Sequence, residues 1–266
     1  MKFFDTLQKI PMGRETLDAV QKMGFDIRFE KGLSDAGCCD ASKKQILLNP
    51  MMKERDLLPT FMHEARHAMQ SEILQVNDEK TLAADTIKAY RAMEADAVAF
   101  ETAFVVEAQK AGVAVRSTPM ADRFRKIKNP EAAKAEVFRS WYADTNTLTL
   151  YDDFYAEQFE DMAEKAAKRG DKECFCEHLP PSKIAAVCPY VSPDFLDSSE
   201  AFSIRSSAKE RISDAMESYA KKTGAKPDTS VLTMYSRTKN GKIVDDRILP
   251  QKSSVALRLK AAKGRE

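Results

Sequence analysis

Two of the three histidines lie four positions apart, in His63-Glu64-Ala65-Arg66-His67. On a helix, positions i and i+4 stack on one face a turn apart, so both imidazoles can reach one Zn²⁺ at about 2.0–2.1 Å. Glu64, turned about 100° around the axis, cannot join them as a ligand. It can reach a water in the metal's open position and act there as general base, while the metal lowers the water's pKa towards about 7. Random placement gives this HExxH pattern in about 0.2% of chains of this composition, so it outweighs the bland alternative of two polar residues on an exposed helix face.

A catalytic zinc needs a third protein ligand. Arg91 to Glu101 lies in the next helical stretch, with Glu94 27 positions after His67. A helix–loop–helix return of this length brings the second helix back against the first. Glu94 shares its face with the small Ala97, which permits close approach. Asp96 points some 200° away from Glu94, and Glu101 shares its face but sits about 10 Å along the axis. Glu94 ranks first, ahead of Asp96 and Glu101.

The string His63-Glu64-x-x-His67, then Glu94-x-x-Ala97-x-x-Phe100, resembles the gluzincin-like metallopeptidases with an HExxH…ExxA pattern, among them the phage-repressor-cleaving and CAAX-prenyl peptidase groups. Leu47-x-Asn49-Pro50, His63-Glu64-Ala65-Arg66-His67-Ala68-x-Gln70 and Glu94-Ala95-Asp96-Ala97 are similar to a little-characterised bacterial family of metallopeptidases. The resemblance covers roughly residues 25–110, with 160 its outer limit. It implies His63, His67 and Glu94 as metal ligands and Glu64 as base. Arg66 departs from the strict zincin pattern, which prefers uncharged residues between the two histidines.

The elements that must hold these residues can be read from spacing. An apolar stripe from Leu57 to Met69 predicts a helix over Leu57–Leu74, and a longer one should run from Thr81 to Ala111 and close at Gly112. Further helices are expected over Arg14–Met23, from Asn129-Pro130 towards Trp141, over Tyr151–Arg169 and over Ser206–Lys222. Phe25–Glu30 and Gln45–Leu48 read as strands, with a glycine-containing loop between them. Residues 171–196, with three Cys and four Pro, read as a long ordered loop or linker. Ser230–Ser236 and Lys242–Ile248 read as a hairpin around Asn240-Gly241. The expected fold is α+β and mostly helical, with a small N-terminal sheet and a zincin-like pair of active-site helices. The metallopeptidase domain is expected over 1–170, with a C-terminal extension over 171–266.

Weaker signals have blander readings. Cys174, Cys176, His178 and Cys188 carry the right atoms for a second metal, but their spacing is wrong for a zinc knuckle, so reduced, partly buried thiols are expected. Cys38-Cys39 could offer a thiolate ligand as in peptide deformylases, but that family's glycine-rich loop and Glu-Gly-Cys string are missing. His178, Tyr90, Tyr142, Tyr151 and Tyr155 are all possible oxyanion donors, and no spacing rule separates them. Trp141 and Tyr142 should pack in the core.

The 266 residues carry a net charge of +1, which excludes a polybasic protein, and 43% apolar residues suffice for a real core. Arg237 to Glu266 holds nine Lys/Arg against three Asp/Glu, a basic tail that a nucleic acid or acidic partner could use. A solvated chain end is the plainer reading. No membrane span or secretory signal is apparent, and the five Cys are an odd number, so a cytoplasmic protein is expected, with secretion by a signal-less route left open. These readings predict a zinc metallopeptidase with one Zn²⁺ per chain and a peptide or protein substrate. The rival is an inactive binding module that keeps the motif.

Overall fold

A computed structural model describes residues 2–248. The chain runs α1 (Lys2–Gln8), α2 (Pro11–Lys22), β1 (Asp26–Phe29), β2 (Gly37–Asp40), β3 (Gln45–Leu48), α3 (Glu54–Ile73), α4 (Ala83–Lys110), α5 (Pro119–Arg125), α6 (Pro130–Ala143) and α7 (Thr145–Arg169). It continues through α8 (Pro181–Ala185), α9 (Pro193–Leu196), β4 (Ser203–Arg205), α10 (Ser206–Thr223), a 3₁₀ turn at Ser230–Thr233, β5 (Tyr235–Arg237) and β6 (Ile243–Val244). The fold is α+β and mostly helical, as the residue patterns predict. Two compact units are woven from separate stretches of chain: residues 2–77, 88–147 and 179–198 form the first, and 78–87, 148–178 and 199–248 the second.

In the first unit a three-stranded sheet of order β1-β3-β2 lies against α3. β1 pairs parallel with β3 and β2 antiparallel, with Cys38 opposite Leu47 and Cys39 opposite Ile46. Ile46 and Leu48 point from β3 into a core that includes Leu57, Leu58, Phe61, Met62, Ala65 and Phe104. Each large side chain buried there contributes about 1.5–3 kcal/mol. Because α3 buries Leu58, Phe61, Met62 and Ala65, the next positions around its axis, His63, Glu64 and His67, stay partly accessible. β2 is one of the two edge strands and approaches α3 closely at Gly37. A Cβ there would lie 2.7 Å from Thr60 Cγ2 and 3.1 Å from Glu64 Cγ, so glycine is what lets the strand and the helix meet.

Pro59 stands inside α3, where its missing N–H and its ring interrupt the helical ladder at the Arg55 carbonyl. That carbonyl accepts a hydrogen bond from the Arg116 N–H at 3.1 Å instead. Asn129 caps α6 through its side chain, which accepts from Ala132 N at 2.9 Å with Pro130 at the first helical position. α4 ends at Gly112 in the left-handed region (φ 75°). Trp141 and Tyr142 are buried, as expected.

The second unit holds a small sheet of order β4-β5-β6 beside α10. Asp152 is fully buried, accepting from Arg237 and, at 3.0 Å, from the Arg205 backbone N–H. Here the expected hairpin is corrected in part. Ser230–Thr233 forms a 3₁₀ turn rather than a strand, because Asp228 accepts from Ser230 N at 2.8 Å and Thr233 Oγ1 donates back to Ser230 O at 2.6 Å. Only Tyr235–Arg237 and Ile243–Val244 pair as β5 and β6. The expected loop over 171–196 carries two short helices, α8 and α9. Most of the basic tail, residues 249–266, lies outside the described residues. No described helix is long and apolar enough to cross a membrane.

Candidate metal centre

α3 and α4 supply the site. His63 and His67, one turn apart on α3, bring their Nε2 atoms to 3.1 Å from each other. Glu94 on α4 places Oε2 3.4 Å from His63 Nε2 and Oε1 3.3 Å from His67 Nε2. Among the described residues, these three form the one group of His, Cys, Asp or Glu side chains close enough to share an ion. Asp96 is fully buried and faces elsewhere, accepting from Arg66 Nε at 2.6 Å. Glu101 lies on the far ring edge of His63, with Oε2 3.3 Å from Nδ1. Cys38 and Cys39, on β2, stand outside the group. Cys174, Cys176 and Cys188 are free thiols, and His178 pairs with Asp85 through Nδ1 at 2.6 Å.

The spacing fits a metal. Ligands about 2.0–2.1 Å from a tetrahedral zinc lie about 3.3–3.4 Å from one another, close to the separations of the two imidazoles and the carboxylate. The hydrogen bonds fit as well. His67 Nδ1 meets Gln70 Oε1 at 2.8 Å, and His63 Nδ1 meets the Glu101 carboxylate, so each ring has an acceptor on Nδ1. With the Nδ1 proton directed to that acceptor, a neutral ring would have its Nε2 lone pair available to an ion beside the carboxylate oxygens of Glu94.

The charges of these groups are coupled. Burial disfavours charge on His63, but the carboxylates of Glu101 and Glu94 override it and hold its pKa well above the usual imidazole range. Burial likewise raises Glu94, yet the hydrogen bonds from His63 and His67 win and keep its carboxyl well below the carboxylate range. Glu64 shows the opposite balance. Burial pushes its pKa up, and His63 and His67 only partly pull it back. On the neighbouring strand the Cys39 thiol is pushed up to about 12, by burial first and then by the charge of Glu64.

Sequence patterns left two participants without a role. Gln70 sits three residues after His67, a spacing that puts it on the same helix face and could have marked it. Tyr190, whose hydroxyl donates to Asp96, comes from a stretch with no periodicity and gave no signal.

Two helices turn a His-His-Glu donor set that could hold a metal ion towards one point, with a second glutamate, Glu64, beside it. Residues 2–173 match the family described as "Putative metallopeptidase family (DUF6782)", and the chain belongs to that family. No curated protein and no solved structure matches it.

Proposed function

We propose that the chain is a zinc-dependent metallopeptidase that hydrolyses peptide bonds, with His63, His67 and Glu94 holding one Zn²⁺ and Glu64 acting as general base. The observation that carries this reading is the set of Nε2 and carboxylate atoms at 3.1–3.4 Å, each imidazole given an acceptor on its other nitrogen. Zinc bound there would polarise the scissile carbonyl and lower the pKa of water towards about 7.

The chain's own residues do the rest. Glu64, its pKa raised by burial, is poised to take a proton from the attacking water and pass it to the leaving amine. The open side of β2 offers an extended peptide a strand to pair with, and Gly37 keeps that strand in contact with Glu64.

Elemental analysis of the purified protein tests the metal, and hydrolysis of a peptide library tests the base. The reading expects about one zinc per chain, lost or sharply weakened in Glu94→Ala. Glu64→Gln should keep the zinc and lose about 10²- to 10⁴-fold in hydrolysis. A Glu64→Gln protein that binds zinc normally and cleaves as fast as the parent would sink it.

A further inference from the structure

We infer that Gln70 is a positioning residue for His67, held in that role by Asp96, Arg66 and Tyr190. The inference rests on the metal reading above and adds to it the residues that fix the geometry of one ligand.

Gln70 is fully buried, and its amide has no freedom to turn over. Its Nε2 donates to Met93 O at 2.9 Å and to Asp96 Oδ2 at 2.6 Å, which uses both N–H bonds. Oε1 must therefore face His67 Nδ1, and as an acceptor it requires the proton on that nitrogen. The Nε2 lone pair is then committed to the site. Asp96 in turn is fixed by three donors: Gln70, Arg66 Nε at 2.6 Å and the Tyr190 hydroxyl. Arg66 is fixed by Val187 O at 2.9 Å and lies over the Phe100 ring at 5.4 Å.

Packing alone does not account for this arrangement. A buried Arg–Asp pair gains little over apolar residues of the same volume, because desolvation offsets most of the attraction. What such a network supplies is a single orientation at each joint, and here the chain of joints ends on a metal ligand. It also explains Arg66, a charged residue between the two histidines. Tyr190 and Val187 lie beyond the family-matched residues 2–173, so this chain completes its metal site with a segment that the family match does not reach.

Zinc affinity by chelator competition, together with long-range ¹H–¹⁵N spectra of the zinc-loaded histidine rings, tests the inference. In the parent, the His67 Nδ1–H should be hydrogen-bonded and slow to exchange. Gln70→Met should lose that signal and about 10- to 100-fold in zinc affinity, the usual effect of removing a partner that orients a metal ligand. Asp96→Asn keeps a carbonyl acceptor for Gln70 and should retain the signal with a smaller loss. Tyr190→Phe, the mildest change, should weaken zinc several-fold. Parent-like affinity with the signal intact in Gln70→Met would overturn the inference while leaving the metal site standing. Should Gln70→Met fail to fold, unchanged affinity in Tyr190→Phe would overturn it. A parent that takes up no zinc would overturn the metal reading and this inference together.

Discussion

Replacing Gly37 by Ala probes the close contact between β2 and the HExxH helix, on which the proposed role of Glu64 depends. The added Cβ would meet Thr60 Cγ2 at 2.7 Å and Glu64 Cγ at 3.1 Å, with Leu47 O at 3.2 Å closing the retreat. Carbon atoms in contact prefer about 3.5–4.0 Å, so roughly 1 Å must be found between β2 and α3. Overpacking of this kind costs about 1–3 kcal/mol, which for a chain of this size lowers the melting temperature by several degrees. The displaced side chain is the proposed base, and a misplacement of about 1 Å at a reacting group can cost about 10²-fold in rate. Thermal unfolding, zinc content and peptide hydrolysis should therefore separate: a lower midpoint, zinc kept, and hydrolysis greatly reduced. Thr60→Ser removes only Cγ2 and keeps the hydroxyl's bond to Asp56 O, so adding it should recover part of the stability. A Gly37→Ala protein that melts within a degree of the parent and cleaves equally well would refute the close-packed contact and the placement of Glu64 drawn from it.

Three further outcomes are expected. Chelation should lower the melting temperature and zinc should restore it; zinc at 100 times its Kd adds about 2.7 kcal/mol, and His63→Ala should abolish that response in a thermal shift assay. Asp152→Ala leaves buried Arg237 without its carboxylate and should cost the second unit about 3–5 kcal/mol, read from urea unfolding. Burial raises the Asp246 pKa, but hydrogen bonds from Ser236 and Lys209 outweigh it, leaving the carboxyl below its ordinary value. Its contribution is thus complete above about pH 4 and lost as pH falls through the lowered value, and Asp246→Asn should flatten stability over that acid range.

The parts legible in the sequence were those fixed by local rules. The apolar stripe of α3, the Asn129-Pro130 start of α6 and the glycine after α4 are each set by residues within a few positions of one another. The i, i+4 spacing alone put both histidines on one face. β2 was hidden because Gly-Cys-Cys-Asp has no apolar alternation; it becomes a strand only through pairing with β3 and contact with α3. Val231-Leu232 misled in the other direction, since side chains of Asp228 and Thr233 claim the backbone groups that a strand would have used. Arg66 looked like an anomaly because its partners Asp96 and Val187 lie 30 and 121 positions downstream. Periodicity carries no information at that range.

Pro59 has a consequence for how the chain folds. A peptide spanning Glu54–Ile73 on its own would break near this residue, because an interior proline costs a helix about 3 kcal/mol. In the intact chain the Arg55 carbonyl is taken up by the Arg116 N–H, 61 positions away. The first turns of the helix that presents the histidines therefore gain their last backbone partner only after α4 and the strand of chain following it have formed and returned. Assembly of the helix that carries His63 and His67 is tied to a long-range closure, so the candidate site should be acquired late in folding, together with the rest of its unit and not ahead of it.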